Sequence, residues 1–162
     1  MSQRRLAVEE LLTILAEGPP RLAASTALLS PAQLRTRPKN EEWSATDVLA
    51  HVRACADIWG GCIEAMIAEN SPTLRAVNPR TWIKKTDYRD LEFRSSLRSF
   101  TKQRSVLLAI LEPLPPKGWS RSATVTGAGA VLVRTVHFYA HWLAKHERTH
   151  VKQIARIANE MH

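Results

Sequence analysis

Apolar residues recur every three or four positions through four long stretches of the chain, the spacing that lines one face of an α-helix. This pattern predicts helices at about residues 3–29, 45–69, 90–112 and 132–159. The chain has no internal repeat, and no stretch alternates strongly enough to predict a run of strands. Four long amphipathic helices with polar connections are typical of an all-α, four-helix bundle. We expect one domain spanning residues 1–162.

Capping signals mark the start of the second helix. Ser44 stands where its hydroxyl can cap the helix, and Asp47, three residues on, completes a capping box. Trp43 and Val48 occupy the positions of a hydrophobic staple across the same end. These signals predict a helix that begins at residue 45.

Proline and glycine divide the rest of the chain. Gly18-Pro19-Pro20 predicts a break or a kink in the first helix. A short turn of helix is predicted at residues 31–34, with Ser30 as its cap. Residues 73–89 are polar and basic and predict a loop. Residues 117–130 form a glycine-containing connection before the last helix, with an alternation that allows a small hairpin.

The chain carries a net charge of +8, from 23 Lys and Arg against 15 Asp and Glu. Such an excess suits either nucleic acid or an anionic small molecule. The basic residues are spread along the whole chain, without a basic tail or an arginine-rich arm. This distribution argues against nucleic-acid binding and favours a small-molecule partner.

From the sequence we expect neither a transmembrane helix nor a secretory signal. No apolar run approaches the ~20 residues of a transmembrane helix. Residues 1–16 include Glu9 and Glu10 and lack the long apolar core of a secretory signal. We therefore expect a cytoplasmic protein without a membrane partner.

The two cysteines lie on one predicted helix. Cys55 and Cys62 are seven residues apart, about 10.5 Å along the helix axis, which is too far for a disulfide between them. We interpret them as small core residues, because free cysteine is usually buried. The alternative is that a thiol lines a site near His51.

Three of the six histidines fall on the apolar faces of predicted helices. Each residue advances about 100° around the helix axis, which places His146 and His150 in the apolar stripe of the last helix. The same construction places His51 in the apolar stripe of the second helix. The apolar neighbours on the two faces are Val48, Cys55, Ile58, Cys62, Met66, Leu132, Val136, Tyr139, Leu143, Ile154 and Ile157. Since such faces meet in a bundle core, we expect these imidazoles to point inward.

A shared metal ion would satisfy three inward imidazoles. Histidines four residues apart are about 6 Å apart along a helix and share one face, so His146 and His150 can bind one ion together. His51 would be the third ligand and would leave positions free for water or substrate. The alternative is that each ring bonds a backbone carbonyl or a buried water. His137 and His141 have the same spacing but fall among basic residues, so we expect them on the surface.

Three further residues are candidates for substrate binding. Arg104 falls in the apolar stripe of the third helix, where a guanidinium is costly unless it is paired. It either binds an anionic group of a ligand, or reaches the rim or pairs with a carboxylate. Tyr139 and Trp59 can line the same cavity, although aromatic residues at such positions are more often plain core.

Two segments resemble signatures of one known family. Residues 41–52, Glu-Glu-Trp-Ser-Ala-Thr-Asp-Val-Leu-Ala-His-Val, resemble the second-helix signature of the DinB-like superfamily. Residues 146–154, His-Glu-Arg-Thr-His-Val-Lys-Gln-Ile, resemble its last-helix signature. The loop at residues 126–131 is similar to the stretch before that helix in some members. The resemblance covers roughly residues 6–157.

The resemblance implies a four-helix bundle of up-up-down-down character, with a long crossover between the second and third helices. It also implies a divalent metal on three histidines, which map to His51, His146 and His150. Characterised relatives include bacillithiol or mycothiol transferases and a mycothiol-dependent maleylpyruvate isomerase. Dimers are common in the family. The second-helix cysteines are not part of its metal motif.

Two hypotheses about function follow. In the first, the histidines hold Zn²⁺, Ni²⁺ or Fe²⁺, and the metal activates a low-molecular-weight thiol for an S-transferase or isomerase, or water for hydrolysis. In the second, the bundle is a non-catalytic stress-related protein, metal-stabilised or metal-free, that acts through a protein partner or as a dimer. The sequence identifies neither the substrate nor the metal, because three imidazoles suit several first-row metals.

Overall fold

The computed structural model describes residues 6–161 and shows a helical bundle with a small sheet at its side. The start predicted for the first helix, at residue 3, lies outside the described residues. In chain order the elements are α1 (Val8–Thr26), α2 (Pro31–Arg35), α3 (Ala45–Ala68), β1 (Thr73–Arg75), α4 (Pro79–Trp82), a 3-10 turn (Ile83–Lys85), α5 (Phe93–Leu111), α6 (Pro116–Trp119), β2 (Ser122–Thr126), β3 (Leu132–Thr135) and α7 (Val136–Glu160).

The four long helices form the predicted four-helix bundle. Helix α7 packs against both α1 and α3, and α5 packs against the other sides of the same two helices. The largest fully buried apolar side chains lie between them and are Leu11, Leu15, Leu22, Leu49, Ile63, Met66, Phe100, Leu111, Leu143, Ile154 and Ile157. The contact between α3 and α7 brings together the two helices that carry the candidate metal ligands.

The predicted capping box starts α3. Ser44 Oγ accepts a hydrogen bond from the backbone N–H of Asp47 at 3.1 Å, and Asp47 Oδ2 accepts from the backbone N–H of Ser44 at 3.0 Å. The short helix after Ser30 is also confirmed, since Ser30 Oγ accepts from the backbone N–H of Gln33. In both places the start of the helix follows from local sequence.

The predicted break in the first helix is wrong, because helix α1 continues through Gly18-Pro19-Pro20. Gly18 and Pro19 are buried at this point of the helix. Burial of the surrounding leucines against α5 and α7 outweighs the lost backbone hydrogen bonds, which is how packing overrides propensity.

The last helix begins later than its apolar pattern indicated. Leu132–Thr135 forms strand β3, and Thr135 caps α7 by accepting from the backbone N–H of Phe138 at 3.0 Å. Strand β3 pairs antiparallel with β2, which confirms the hairpin. Gly127 and Gly129 have φ values of +87° and +86° in the connecting turn, a conformation that glycine adopts at little cost.

The crossover between α3 and α5 contains structure where a loop was predicted. Strand β1 pairs in parallel with β2, so the sheet order is β1-β2-β3. Asp57 on α3 holds the crossover in place, because its carboxylate accepts hydrogen bonds from Trp82 Nε1 at 3.0 Å and the Tyr88 hydroxyl at 2.6 Å. Gln103 Nε2 on α5 donates to the same carboxylate at 2.8 Å.

None of the helices within residues 6–161 is long and apolar enough to span a bilayer.

Candidate metal centre

Three histidine rings converge between α3 and α7. His51 Nε2 lies 3.1 Å from His146 Nε2, and His150 Nε2 lies 3.1 Å from the same atom. The ring centroids of the three are between 4.4 and 5.0 Å apart. All three side chains are half-buried. The structure therefore brings together the three histidines that helical periodicity selected.

The convergence of the three Nε2 atoms fits a shared metal ion. Nitrogen ligands on one tetrahedral zinc, each about 2.0–2.1 Å from the ion, lie roughly 3.3 Å apart. The two observed separations of 3.1 Å are close to this value. Direct hydrogen bonding explains the arrangement less well, because His146 Nε2 carries at most one hydrogen and faces two nitrogens. The buried Nδ1 of His146 has no hydrogen-bonding protein partner within residues 6–161.

A hydrogen-bond chain sets the tautomer of His150. Its Nδ1 lies 2.7 Å from Gln153 Oε1, and an amide oxygen only accepts, so Nδ1 carries the proton. The amide orientation is consistent with this, because the Gln153 side chain hydrogen-bonds Glu41, whose carboxylate also pairs with Arg156. His150 Nε2 therefore carries no hydrogen. Its lone pair points at the cluster, as a metal ligand requires. Gln153 and Glu41 were not among the predicted site residues, although both fall inside the two family-like segments.

Two tryptophans enclose the cluster. Trp43 lies with its ring centroid 5.1 Å from that of His51 and stacks on His150 at 6.3 Å. The edge of Trp59 meets His146, with ring centroids 5.0 Å apart. Trp43 was predicted only as part of a helix staple. The sequence around Trp43 did not predict its place in the wall of the site, because His150 lies on a distant helix.

Burial keeps two of the three imidazoles neutral. It lowers the pKa of His51 to about 4 and that of His146 to about 3, and the neighbouring His150 contributes to both shifts. Charges on the crossover arginines Arg80 and Arg89 lower the pKa of His51 further. A neutral ring with a free lone pair is the form that binds a metal. His51 and His146 can therefore each bind a cation at neutral pH without first losing a proton.

Cys55 adjoins the same cluster. Its Sγ lies 3.7 Å from His51 Nε2 and 3.9 Å from His146 Nε2. Burial, with a contribution from the charge of Glu147, raises the pKa of Cys55 to about 12. Of the two interpretations of the cysteines, the structure places Cys55 beside the histidines, whereas Cys62 accepts a hydrogen bond from the Tyr139 hydroxyl.

A pocket of about 130 Å³ adjoins the cluster through Trp59, which lines it. Both predicted aromatic residues, Trp59 and Tyr139, lie in its wall. Trp142, which is 47% exposed, also lines it and meets Trp59 with ring centroids 5.7 Å apart. Arg134 contributes a cation, with its guanidinium 4.0 Å from the ring centroid of Phe138.

Arg104 is engaged elsewhere. Its two terminal nitrogens bind the two carboxylate oxygens of Glu147, and Nη1 also donates to the Leu15 carbonyl at 2.9 Å. The two side chains are only 3% and 2% exposed. This is the carboxylate pairing that stood as the alternative to substrate binding. The arginine charges that act on His51 come from Arg80 and Arg89.

The prediction that His137 lies on the surface is wrong. His137 is 8% exposed, its Nε2 lies 3.0 Å from the Leu6 carbonyl oxygen, and its ring meets Trp119. His141 is half-buried and stacks on His137 with ring centroids 6.1 Å apart. The helical pattern correctly assigned these rings to a second face, but other segments of the chain cover that face.

The sequence matches the family model of the DinB superfamily over residues 14–154, so the chain belongs to this superfamily. No curated protein matches it by sequence.

Among the solved structures with a similar fold are the following two. YfiT from Bacillus subtilis, described as a probable metal-dependent hydrolase with an unusual four-helix bundle topology, superimposes with a TM-score of 0.81 at 16% identity. That match covers 99% of this chain and 93% of YfiT. A mycothiol-dependent maleylpyruvate isomerase superimposes with a TM-score of 0.65 at 16% identity, over 92% of this chain and 61% of the isomerase.

Proposed function

We propose that this protein is a metal-dependent enzyme that holds one divalent ion on His51, His146 and His150. The observation that carries the proposal is the convergence of the three rings from two helices, with His146 Nε2 lying 3.1 Å from the Nε2 atom of each of the other two. The Gln153 contact, which leaves a lone pair on His150 Nε2, supports it further. Zn²⁺, Ni²⁺ and Fe²⁺ all suit imidazole ligands.

The reaction we propose is the transfer or isomerisation of a small electrophile with a low-molecular-weight thiol, and hydrolysis is the closest variant. When bound, the metal lowers the pKa of a thiol or a water molecule and so supplies the nucleophile at neutral pH. The mycothiol-dependent activity of the isomerase with this fold supports the thiol variant, and the description of YfiT supports hydrolysis.

The chain's own residues would bind and orient the reactants. Trp59 and Tyr139 line the pocket beside the cluster, where apolar and aromatic walls exclude water from a small substrate. Arg80 and Arg89 place positive charge at His51, which suits a carboxylated thiol or an acidic substrate. Trp43 covers the two rings of His51 and His150 and limits the access of solvent.

Metal analysis of the purified protein tests the site. The parent should bind close to one equivalent of metal, and the double variant His51→Ala with His150→Ala should bind none. His141→Ala is the matched control, because His141 lies on the same helix outside the cluster, and this variant should retain metal. A parent that stays metal-free after incubation with Zn²⁺, Ni²⁺ and Fe²⁺ would overturn the proposal.

Catalysis needs a separate test. The metal-loaded parent is assayed with low-molecular-weight thiols and small electrophiles, beside the metal-free double variant. Turnover by the parent alone supports an enzyme. Metal binding without turnover of any thiol or water reaction favours the second function, a metal-stabilised bundle acting through a partner. We also propose that the protein forms a homodimer. Sedimentation analysis would measure its oligomeric state.

A further inference from the structure

Cys55 shares one helix face with His51. The two residues are four apart on α3, which places their side chains one above the other. The ligand atoms of His51, Cys55 and His146 all lie within 4.8 Å of one another. Cys55 is 1% exposed, so its thiol is enclosed by the cluster and by the bundle core.

The two distances from the sulfur indicate a shared centre. On a tetrahedral zinc, with Zn–S about 2.3 Å and Zn–N about 2.0–2.1 Å, a sulfur and a nitrogen ligand lie roughly 3.5 Å apart. Cys55 Sγ lies 3.7 Å from His51 Nε2 and 3.9 Å from His146 Nε2. A thiol has one hydrogen and can donate to only one of these nitrogens. Near-equal distances to both therefore fit a common bound atom better than a hydrogen bond.

We propose that Cys55 supplies a thiolate ligand to the metal of this centre, together with His51 and His146, whose ligand atoms group with its sulfur within 4.8 Å. The inference rests on the metal site proposed above. When the ligand bond forms, the Cys55 S–H bond breaks, the proton passes to solvent, and a sulfur lone pair binds the metal. No oxidation or reduction takes place.

This ligand changes the chemistry expected of the site. A thiolate lowers the net charge of the occupied centre by one and favours borderline or soft ions such as Zn²⁺ over Mg²⁺ or Mn²⁺. Four protein ligands also resemble a closed coordination shell more than three do. Substrate would then have to expand the shell or displace the sulfur.

Cobalt spectroscopy tests the assignment without an activity assay. Co²⁺ bound to the parent should give visible d–d bands and a near-ultraviolet thiolate-to-cobalt charge-transfer band. Cys55→Ser should keep cobalt and its d–d bands but lose the charge-transfer band. It should also release one proton fewer for each ion bound. Cys62→Ser is the matched control on the same helix and should keep both features.

The outcomes separate the two proposals. A parent that binds cobalt but has no charge-transfer band, or a band that survives in Cys55→Ser, would overturn Cys55 ligation and leave the histidine site standing. A parent that binds no cobalt would overturn the metal site itself. If Cys55→Ser does not fold, Cys62→Ser still decides, because the chain has two cysteines and Cys55 is then the remaining thiol.

Discussion

Breaking the buried ion pair between Arg104 and Glu147 should strongly destabilise the fold. The pair joins α5 to α7, and Nη1 of Arg104 also binds the Leu15 carbonyl of α1. In Glu147→Gln the guanidinium keeps its charge, with its side chain only 3% exposed, and loses its ionised partner. Removing one member of a buried pair costs about 3–5 kcal/mol, because the other charge stays desolvated and uncompensated.

Urea unfolding measures this cost against a matched control in the same chain. With an m-value of about 2 kcal/mol per molar urea, the expected loss lowers the midpoint by roughly 1.5–2.5 M. Glu17→Gln removes the same charge from the pair with Arg21, whose side chains are 48% and 65% exposed. That exposed pair is expected to contribute about 0.5 kcal/mol or less.

An apolar replacement of both partners distinguishes desolvation from simple loss of attraction. Arg104→Met combined with Glu147→Leu leaves no buried charge, and should therefore recover most of the stability lost in Glu147→Gln. The Leu15 carbonyl loses a donor in this variant, which costs about 1 kcal/mol. If Glu147→Gln lowers the free energy of unfolding no more than Glu17→Gln does, the pair of Arg104 and Glu147 is not desolvated in solution and the reasoning fails.

Three further predictions concern the metal site, the packing around Glu147 and the dependence of stability on pH. Gln153→Leu should weaken metal affinity by about 10- to 100-fold in a competition titration with a chelator, because it removes an orienting hydrogen bond. Gln153→Glu keeps a hydrogen-bond acceptor and should bind the metal more tightly than Gln153→Leu. Equal metal affinities for the parent and both variants would refute the orienting role of Gln153. Gly18→Ala should destabilise the protein in thermal unfolding. Its new methyl carbon would lie only 3.0 Å from the Glu147 carboxylate, which the bonds to Arg104 hold in place. A stabilised variant, as helix propensity alone predicts, would contradict this packing. Metal-free protein should lose stability as pH falls from about 6.5, the pKa of an unfolded histidine. Burial lowers the pKa of His51 to about 4 and of His146 to about 3, so the unfolded state takes up protons that the folded state excludes over that window. A urea midpoint that does not change between about pH 7 and pH 5 would count against these shifts.

Local sequence determined the helices and the faces that they present. Helical periodicity repeats within a few residues, so His51, His146 and His150 could be assigned to apolar stripes without any tertiary information. The capping box at Ser44 and Asp47 likewise formed as predicted, since all of its atoms lie within one turn. The bundle followed because amphipathic helices of this length must bury one face against each other.

Tertiary structure decided what surrounds those faces. The sequence left open whether Arg104 binds a ligand or a carboxylate. The packing of α7 places Glu147 against its guanidinium. His137 is buried because other segments of the chain cover a face that α7 alone would expose to solvent. Cys55 lies beside His51 on one helix face, as the spacing allowed, but its contact with His146 and the contact of Trp43 with His150 form only when α7 packs against this part of the chain. Such contacts join residues about a hundred positions apart, and a periodic pattern on one helix carries no information about the neighbour that will cover it.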